Sequence, residues 1–462
     1  MIKIDEQLTA TRLENELERL WSIAARKLVL LDQHSDAIGG TPVFTVNGKY
    51  VAQGWTEWTQ GFQFGAPLLV FDAIDDVELL EIGRIKTHQV MAAHVTHVGV
   101  HDHGFNQVST YGNLRRLALA GRFDASPGDL NFYELALKAS GAVQANRWSP
   151  TADGGGYIYS FNGPHSLFSD TIRSLRTLVM AHRLGHVLWA ENDRRISLLE
   201  RAIQHAQATQ RYNVYFGAGR DAYDVRGRVV HESIFNTNDG NYRCPSTQQG
   251  YSPFSTWTRG LAWILLGYAE QLEFLATVAD DELEPFGSRS QIEGEMRKTL
   301  EAVCDFYIEH TPTCGVPYWD TGAPGLEKLG DYLDRPADPF NDHEPVDSSA
   351  AAIAAQGLLR AGKYYSRGDA TDEGRATKYW QAGLTVMQSL LKTPYLSDDE
   401  VHQGLLLHTI YHRPRNWDHI PSGAKIPHGE SCMWGDYHLL EAALYLYRHV
   451  TGRADYTFFG EA

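Results

Sequence analysis

The sequence predicts an all-α protein arranged as a toroid of six helical hairpins, with short β-hairpins in its loops. Three observations lead there. Twelve segments carry apolar residues at three- and four-residue spacing, the period of an amphipathic helix. Alternating, strand-like stretches are few and short. Six times, a loop rich in aromatic and polar groups runs straight into an apolar helix, and the helices between have ordinary charged outer faces. Inner and outer helices in antiparallel alternation, with every inner helix starting at one end, gather those six loops around one mouth, the place where helical bundles build ligand sites.

Taken in order, the helical segments are Leu13 to Leu31, Ala66 to Phe71, Asp75 to His94, Asn106 to Gly121, Asp129 to Ser140, Asp170 to His186, Asp193 to Gln210, Thr256 to Val278, Gln291 to Thr311, Ser348 to Ser366, Ala376 to Lys392 and Gly435 to Thr451. The strand-like stretches are Val43 to Val51, Gly155 to Phe161 and Tyr212 to Phe216. The six helix entries are Trp55 to Phe62, His101 to Phe105, Asn162 to Asp170, Gln249 to Gly260, Asp347 to Ser349 and Trp434 to Tyr437. No composition shift divides the chain, so residues 1–462 read as one domain, with the pieces 279–290 and 334–345 as loops inside it.

Composition excludes several classes of function. A formal charge of −16 with no lysine/arginine-rich run argues against nucleic acid, whose phosphates need a basic surface. No apolar run of about 18 residues offers a membrane span. The four cysteines, Cys244, Cys304, Cys314 and Cys432, show no CxxC pairing and read as free thiols. The N-terminal stretch is acidic where a secretory signal needs a basic start, so a cytoplasmic enzyme is expected.

Two entries place a carboxylate at the mouth, Asp102 and Asp170. Paired carboxylates in unlike environments, one protonated and one ionised, are the usual machinery for sugar chemistry. The competing reading is that both are helix N-caps. The histidines at 88, 94, 97, 101 and 103 raise the possibility of a metal, but Gly99 and Gly104 interrupt the helix that an i, i+4 zinc pair needs, and no Glu follows His97. No metal and no cofactor are expected, and His101 reads as a loop histidine that hydrogen-bonds substrate or a neighbour. The glycine-rich stretch Thr151 to Tyr157 lacks the lysine of a phosphate loop and reads as a turn near the mouth. Arg259 and Trp263 share one helix face, a guanidinium for a carboxylate and an indole for a sugar ring, or else a structural arginine under a core tryptophan. His231 follows an alternating run, Val225 to Val230, in a long loop.

In these residues the chain resembles the unsaturated glucuronyl hydrolases, glycoside hydrolase family 88. The likeness spans Trp55 to Tyr437 and rests on Trp58-Thr-Gln-Gly-Phe62, His101-Asp-x-Gly-Phe105, the Asp170 helix start, Gln249-Gly-Tyr-Ser252, Trp257-Thr-Arg-Gly-x-Ala-Trp263, Val316-Pro-Tyr-Trp-Asp320, Asp347-Ser-Ser-Ala-Ala-Ala-Ile353 and Trp434-Gly-Asp-Tyr437. The resemblance implies an (α/α)6 barrel, no metal, and removal of a terminal 4,5-unsaturated uronic acid from oligosaccharides left by polysaccharide lyases. It implies Asp170 as general acid/base and Asp102 as its partner on the ring hydroxyls. It further implies His231, Gln249 and Arg259 on the uronate, Trp58 and Trp263 beside the ring, and His101 and Phe161 among the substrate contacts. Members often carry Arg and Trp where Tyr159 and Phe161 stand here, which bears on the leaving sugar. A monomer or homodimer is expected. The rival readings are a barrel glycosidase or epimerase acting on saturated sugars, and a sugar-binding barrel without catalysis.

Overall fold

The computed structural model describes residues 1–53 and 57–459. All twelve expected helices are present. They are α1 (Glu14–Gln33), α2 (Gln60–Ile74), α3 (Val77–Val90), α4 (103–119), α5 (Pro127–Asn146), α6 (171–183), α7 (Leu198–Asn213), α8 (Thr258–Leu275), α9 (Arg289–Glu309), α10 (Ser348–Tyr365), α11 (Glu373–Leu390) and α12 (Met433–Val450). α4 contains a π-helical turn, Val108–Gly112, and α6 is broken at Leu175 between Thr171–Ser174 and Arg176–Arg183. The even-numbered helices form an inner ring in which α2, α4, α6, α8, α10 and α12 each pack on the next, and α12 returns onto α2. The outer helices lean on them, α3 on α2, α5 on α6 and α11 on α10.

The two rings begin differently. Five of the six outer helices start with a side-chain cap, from Asp76, Ser126, Ser197, Ser288 and Asp372. Among the inner helices only α10 has one, from Asp347. Inner helices are buried almost all round, α8 along nearly its whole length, as expected of helices without a polar face. They approach one another through glycines. A Cβ on Gly104 would stand 2.2 Å from Ser174 O of α6, and one on Gly61 would stand 2.4 Å from the Asn106 Cα of α4. Below the mouth the ring is tied by buried ion pairs, Arg173 to Glu270 (2.9 Å) and Glu441 (2.8 Å), and Arg176 to Glu441 (3.2 Å), which join α6, α8 and α12.

Short hairpins decorate the loops. Pro42–Val46 pairs with Lys49–Ala52, and Trp148–Pro150 with Gly156–Ile158. Ser166–Phe168, Glu232–Phe235 and Tyr242–Ser246 make a three-stranded sheet beside the mouth. Tyr212–Phe216 is not a strand: Tyr212 and Asn213 finish α7, and Val214 makes a single bridge to Val229. The apolar alternation there serves packing at a helix end. The turn 151–155 closes the Trp148–Ile158 hairpin and lines a groove beside α7, away from the mouth. Among the described residues no helix is long and apolar enough to cross a membrane.

Candidate active site

Four of the six inner-helix entries line a cleft that encloses about 720 Å³ of space, open solvent at its mouth included. Of the residues expected at the site, Trp58, His101, Asp102, Phe161, Asp170, Gln249, Arg259 and Trp263 line it. Residues 54–56 at the start of the first entry, including Trp55, lie outside the described residues.

Asp102 and Asp170 occupy the N-cap positions of α4 and α6, yet neither side chain caps its helix. The capping reading therefore fails for both, and their carboxylates are free to face the cleft. His101 stands between them: its Nε2 is 3.3 Å from Asp170 Oδ1 and 3.8 Å from Asp102 Oδ1. The imidazole is held in place. Its backbone carbonyl accepts from Gln144 Nε2 (2.8 Å) and Ser174 Oγ (2.7 Å), and its ring lies parallel to Phe161 and edge-on to Phe168.

Burial and mutual charge divide the three groups. Burial raises the Asp102 carboxyl, and the nearby Asp170 charge adds to it while His101 opposes. Burial also pushes Asp170 upward, but the His101 hydrogen bond and charge, with His231 behind, outweigh it and hold Asp170 below its ordinary range. For His101, burial disfavours the charge, yet the two carboxylates prevail and raise it. Asp102 is thus the more readily protonated carboxyl and Asp170 the more readily ionised one, paired with His101, so the two carboxyls have unlike environments.

The aromatic floor is continuous. Trp58 stacks on Trp434 with centroids 5.0 Å apart, and Phe105 sits 6.1 Å from Trp58 and 4.9 Å from Trp263. Flat apolar rings beside a few polar groups suit a sugar face.

Arg259 lines the cleft but is held as a structural arginine against tryptophan. It is buried at 2% exposure and lies over Trp257 and Trp434. Its Nη1 donates to Asp347 Oδ2 (2.6 Å) and Ile410 O, and its Nη2 to Gln249 Oε1 (2.9 Å) and Tyr411 O (2.7 Å). Because arginine only donates, Gln249 must turn its oxygen inward, which leaves its Nε2 amide for the cleft. Arg259 is thus spent on positioning Gln249 and the 410–411 loop.

His231 lies one layer behind the wall. It is buried, packs between Phe168 and Trp257, and its Nδ1 accepts from the Gln248 N–H (3.0 Å). Burial pushes its pKa down to about 4, so it is neutral, and it shapes the Gln248–Gln249 loop from beneath. Asp320 holds the same loop by accepting from the Tyr251 N–H (2.8 Å).

Sequence reasoning missed one wall. Tyr411, His412 and Arg415 line the cleft from the long segment between α11 and α12. Asp418 ties that loop by accepting from the Tyr411 and His412 N–H groups. Among the described residues Arg415 has no carboxylate partner, and its guanidinium rests over Trp417 at 5.2 Å. The available signal was two arginines interleaved with aromatics, Tyr411-His-Arg-Pro-Arg-Asn-Trp417, upstream of an inner-helix entry. Among the described residues no cluster of three or more His, Cys, Asp or Glu is arranged to hold a metal ion.

A six-hairpin barrel whose mouth sets two unlike carboxyls against an aromatic floor suits carbohydrate chemistry of the kind glycoside hydrolases carry out. No family model matches the chain. The unsaturated glucuronyl hydrolase of Bacillus sp. (strain GL1) is 26% identical over 409 residues, covering 88% of this chain and 90% of that one. The unsaturated chondroitin disaccharide hydrolase of Streptococcus agalactiae serotype III is 23% identical over 417 residues, with 87% and 85% covered. The crystal structure of an unsaturated glucuronyl hydrolase specific for heparin shares the fold at a TM-score of 0.70 and 20% identity, over 96% of this chain and 100% of that one. Along most of its length the chain is similar to unsaturated glucuronyl hydrolases, and it shares their fold.

Proposed function

We propose that the protein removes a terminal 4,5-unsaturated uronate from lyase-generated oligosaccharides by hydrating the C4=C5 vinyl ether. The observation that carries this reading is the bridging of Asp170 and Asp102 by His101 Nε2 in a buried, aromatic-floored cleft. When the sugar fills the cleft and displaces water, a neutral pair becomes cheaper than an ion pair. The proton then passes from His101 Nε2 to Asp170 Oδ1, and Asp170 becomes the acid. It protonates C4, oxocarbenium character develops at C5, and the carboxylates beside it stabilise that charge. Water adds at C5 and returns a proton to Asp170. The hemiketal opens and expels the sugar formerly held at C1.

The other residues take supporting roles. Gln249 Nε2 and the Arg415 guanidinium receive the uronate carboxylate, while Trp58, Trp263 and Phe161 flank the ring. Asp102 holds a ring hydroxyl and shares the site's proton. Residues 1–462 act as one catalytic unit, as a monomer or homodimer, in the cytoplasm. The four unpaired thiols, two of them buried, support a reducing compartment, and sedimentation with subcellular fractionation tests both points.

Loss of vinyl ultraviolet absorbance on a panel of unsaturated disaccharides, beginning with those derived from glycosaminoglycans, tests the reaction. Asp170→Asn should lower the rate by about 10²–10⁴ or more with the fold intact, the usual worth of a positioned proton donor. A second reading, in which Asp102 donates, is favoured by the raised Asp102 carboxyl. Near-normal activity in Asp170→Asn with loss in Asp102→Asn would exchange the two roles.

A further inference from the structure

The proposed hydration consumes one water per turnover while the sugar fills the mouth, so a supply from behind Asp170 would serve it. On α7, His205, Thr209 and Asn213 recur every four residues and form one stripe, about 12 Å long at 1.5 Å per residue. All three are completely buried. The ends of the stripe are tied: Ile158 N–H donates to His205 Nδ1 (3.0 Å), and Asn213 Nδ2 donates to Val230 O (3.1 Å). Each residue still has a polar atom with no protein partner among the described residues, namely His205 Nε2, Thr209 Oγ1 and Asn213 Oδ1.

The facing wall repeats the pattern. Ser169 Oγ and Thr171 Oγ1, from the residues on either side of Asp170, are also buried without a protein partner among the described residues, and so is His231 Nε2. The inner face of α7 packs on the strands Gly156–Ile158, Ser166–Phe168 and Glu232–Phe235 and on the turn Thr171–Ser174. Ser169 N–H (2.8 Å) and Asn213 Nδ2 (3.5 Å) converge on the His231 carbonyl, which brings stripe and wall together at the rear of Asp170.

Protein interiors leave few polar atoms unpaired, and ordered water pairs most of the remainder. The six atoms are also chemically complementary. The N–H bonds received at Nδ1 make His205 and His231 donors at Nε2, Asn213 Oδ1 accepts, and the three hydroxyls do either. Burial keeps both imidazoles neutral.

We propose that this seam holds a file of ordered water opening on the rear of Asp170, and that it supplies the molecule added at C5. The supply role rests on the function proposed above. The water oxygen bonds to C5, and its proton goes to Asp170 in place of the one given to C4, so the seam loses one water per turnover and no net charge.

Thr209→Val and Thr209→Ser in the full-length enzyme test this, because Thr209 lies on an outer helix and does not line the cleft. The valine variant should lose about tenfold in kcat at unchanged KM, and serine, which keeps the hydroxyl, should restore it to within about twofold. Crystals of the wild-type protein should show water on Thr209 Oγ1, absent in Thr209→Val. An unchanged kcat in the valine variant, with a melting temperature equal or higher, would overturn the proposal, as a dry seam in the wild-type crystals would. So would a loss that serine fails to rescue. The crystallographic result needs no substrate; failure of the wild-type enzyme to consume any unsaturated uronide would overturn the functional reading and the supply role with it, whatever the seam contains.

Discussion

Replacing Arg259 with lysine keeps the charge but removes the fork. The guanidinium makes four hydrogen bonds, to Asp347, Ile410, Gln249 and Tyr411, from a site at 2% exposure. A lysine ammonium has three donors on a point charge and reaches less far, so it keeps Asp347 and at most one carbonyl. Two bonds to a charged donor are lost, each worth about 1.5–3 kcal/mol, and water at the cleft wall can recover part of the Gln249 bond. The expected destabilisation is about 3 kcal/mol, at the lower end of the 3–5 kcal/mol expected for removing the cation paired with Asp347 altogether. The kinetic signature is separate. With Oε1 no longer pinned, Gln249 can turn away, and KM for an unsaturated disaccharide should rise about tenfold, equivalent to about 1.4 kcal/mol, while kcat stays within a few fold. Denaturant unfolding gives the first quantity and steady-state loss of vinyl absorbance the second. A lower stability with unchanged KM would refute the claim that Arg259 orients Gln249, and wild-type values for both would refute the hub itself.

Two further predictions concern proton and backbone. His101 has its pKa raised above its ordinary 6.5, so its contribution to stability is full below that pH and lost as pH rises through the folded value. Asp170 is held below 3.8, so its contribution is present above that pH and lost as pH falls through its folded value. The melting-temperature difference between wild type and His101→Gln should therefore be widest between about pH 4 and 6.5 and shrink toward pH 9; a gap that does not change with pH would contradict the pairing. The basic limb of kcat/KM should lie above pH 6.5 and vanish in His101→Gln. Gly104→Ala drives a methyl to 2.2 Å from Ser174 O, and overpacking at that crossing should cost about 1–3 kcal/mol. Because the α4–α6 crossing sets the spacing of Asp102 and Asp170, kcat should fall out of proportion to stability, and crystals showing an unshifted site with normal kcat would argue against that coupling.

The fold was legible because its period is local: each of the twelve helices announces itself within its own segment. The cleft was half legible for the same reason. Trp58, Asp102, Asp170 and Trp263 sit at or near helix starts, where a loop-to-helix pattern can be read from sequence neighbours alone. Tyr411, His412 and Arg415 are held at the cleft in part by Arg259, about 150 residues earlier, which binds the carbonyls of Ile410 and Tyr411, and no local pattern records such a tie. His231 was read as a substrate contact and lies a layer deeper, since an alternating run does not reveal which strand will cover it. The capping alternative for Asp102 and Asp170 could be settled only by side-chain direction.

The missing caps of the inner ring have an electrical meaning. A helix N-terminus carries about half a positive charge, and a capping oxygen partly cancels it. Five inner helices bring that end to the mouth without a cap from their own N-cap side chain, although Asn106 and Ser174 accept from the Gly61 and Gly104 N–H groups, while five outer helices, their N-termini at the opposite end of the toroid, are capped. Those ends offset part of the negative charge that Asp102 and Asp170 bring to the mouth of a chain with a formal charge of −16. Backbone dipoles neither titrate nor swing away. Their share of the field at the mouth therefore stays constant with pH, while the charges of Asp102, Asp170 and His101 change with it.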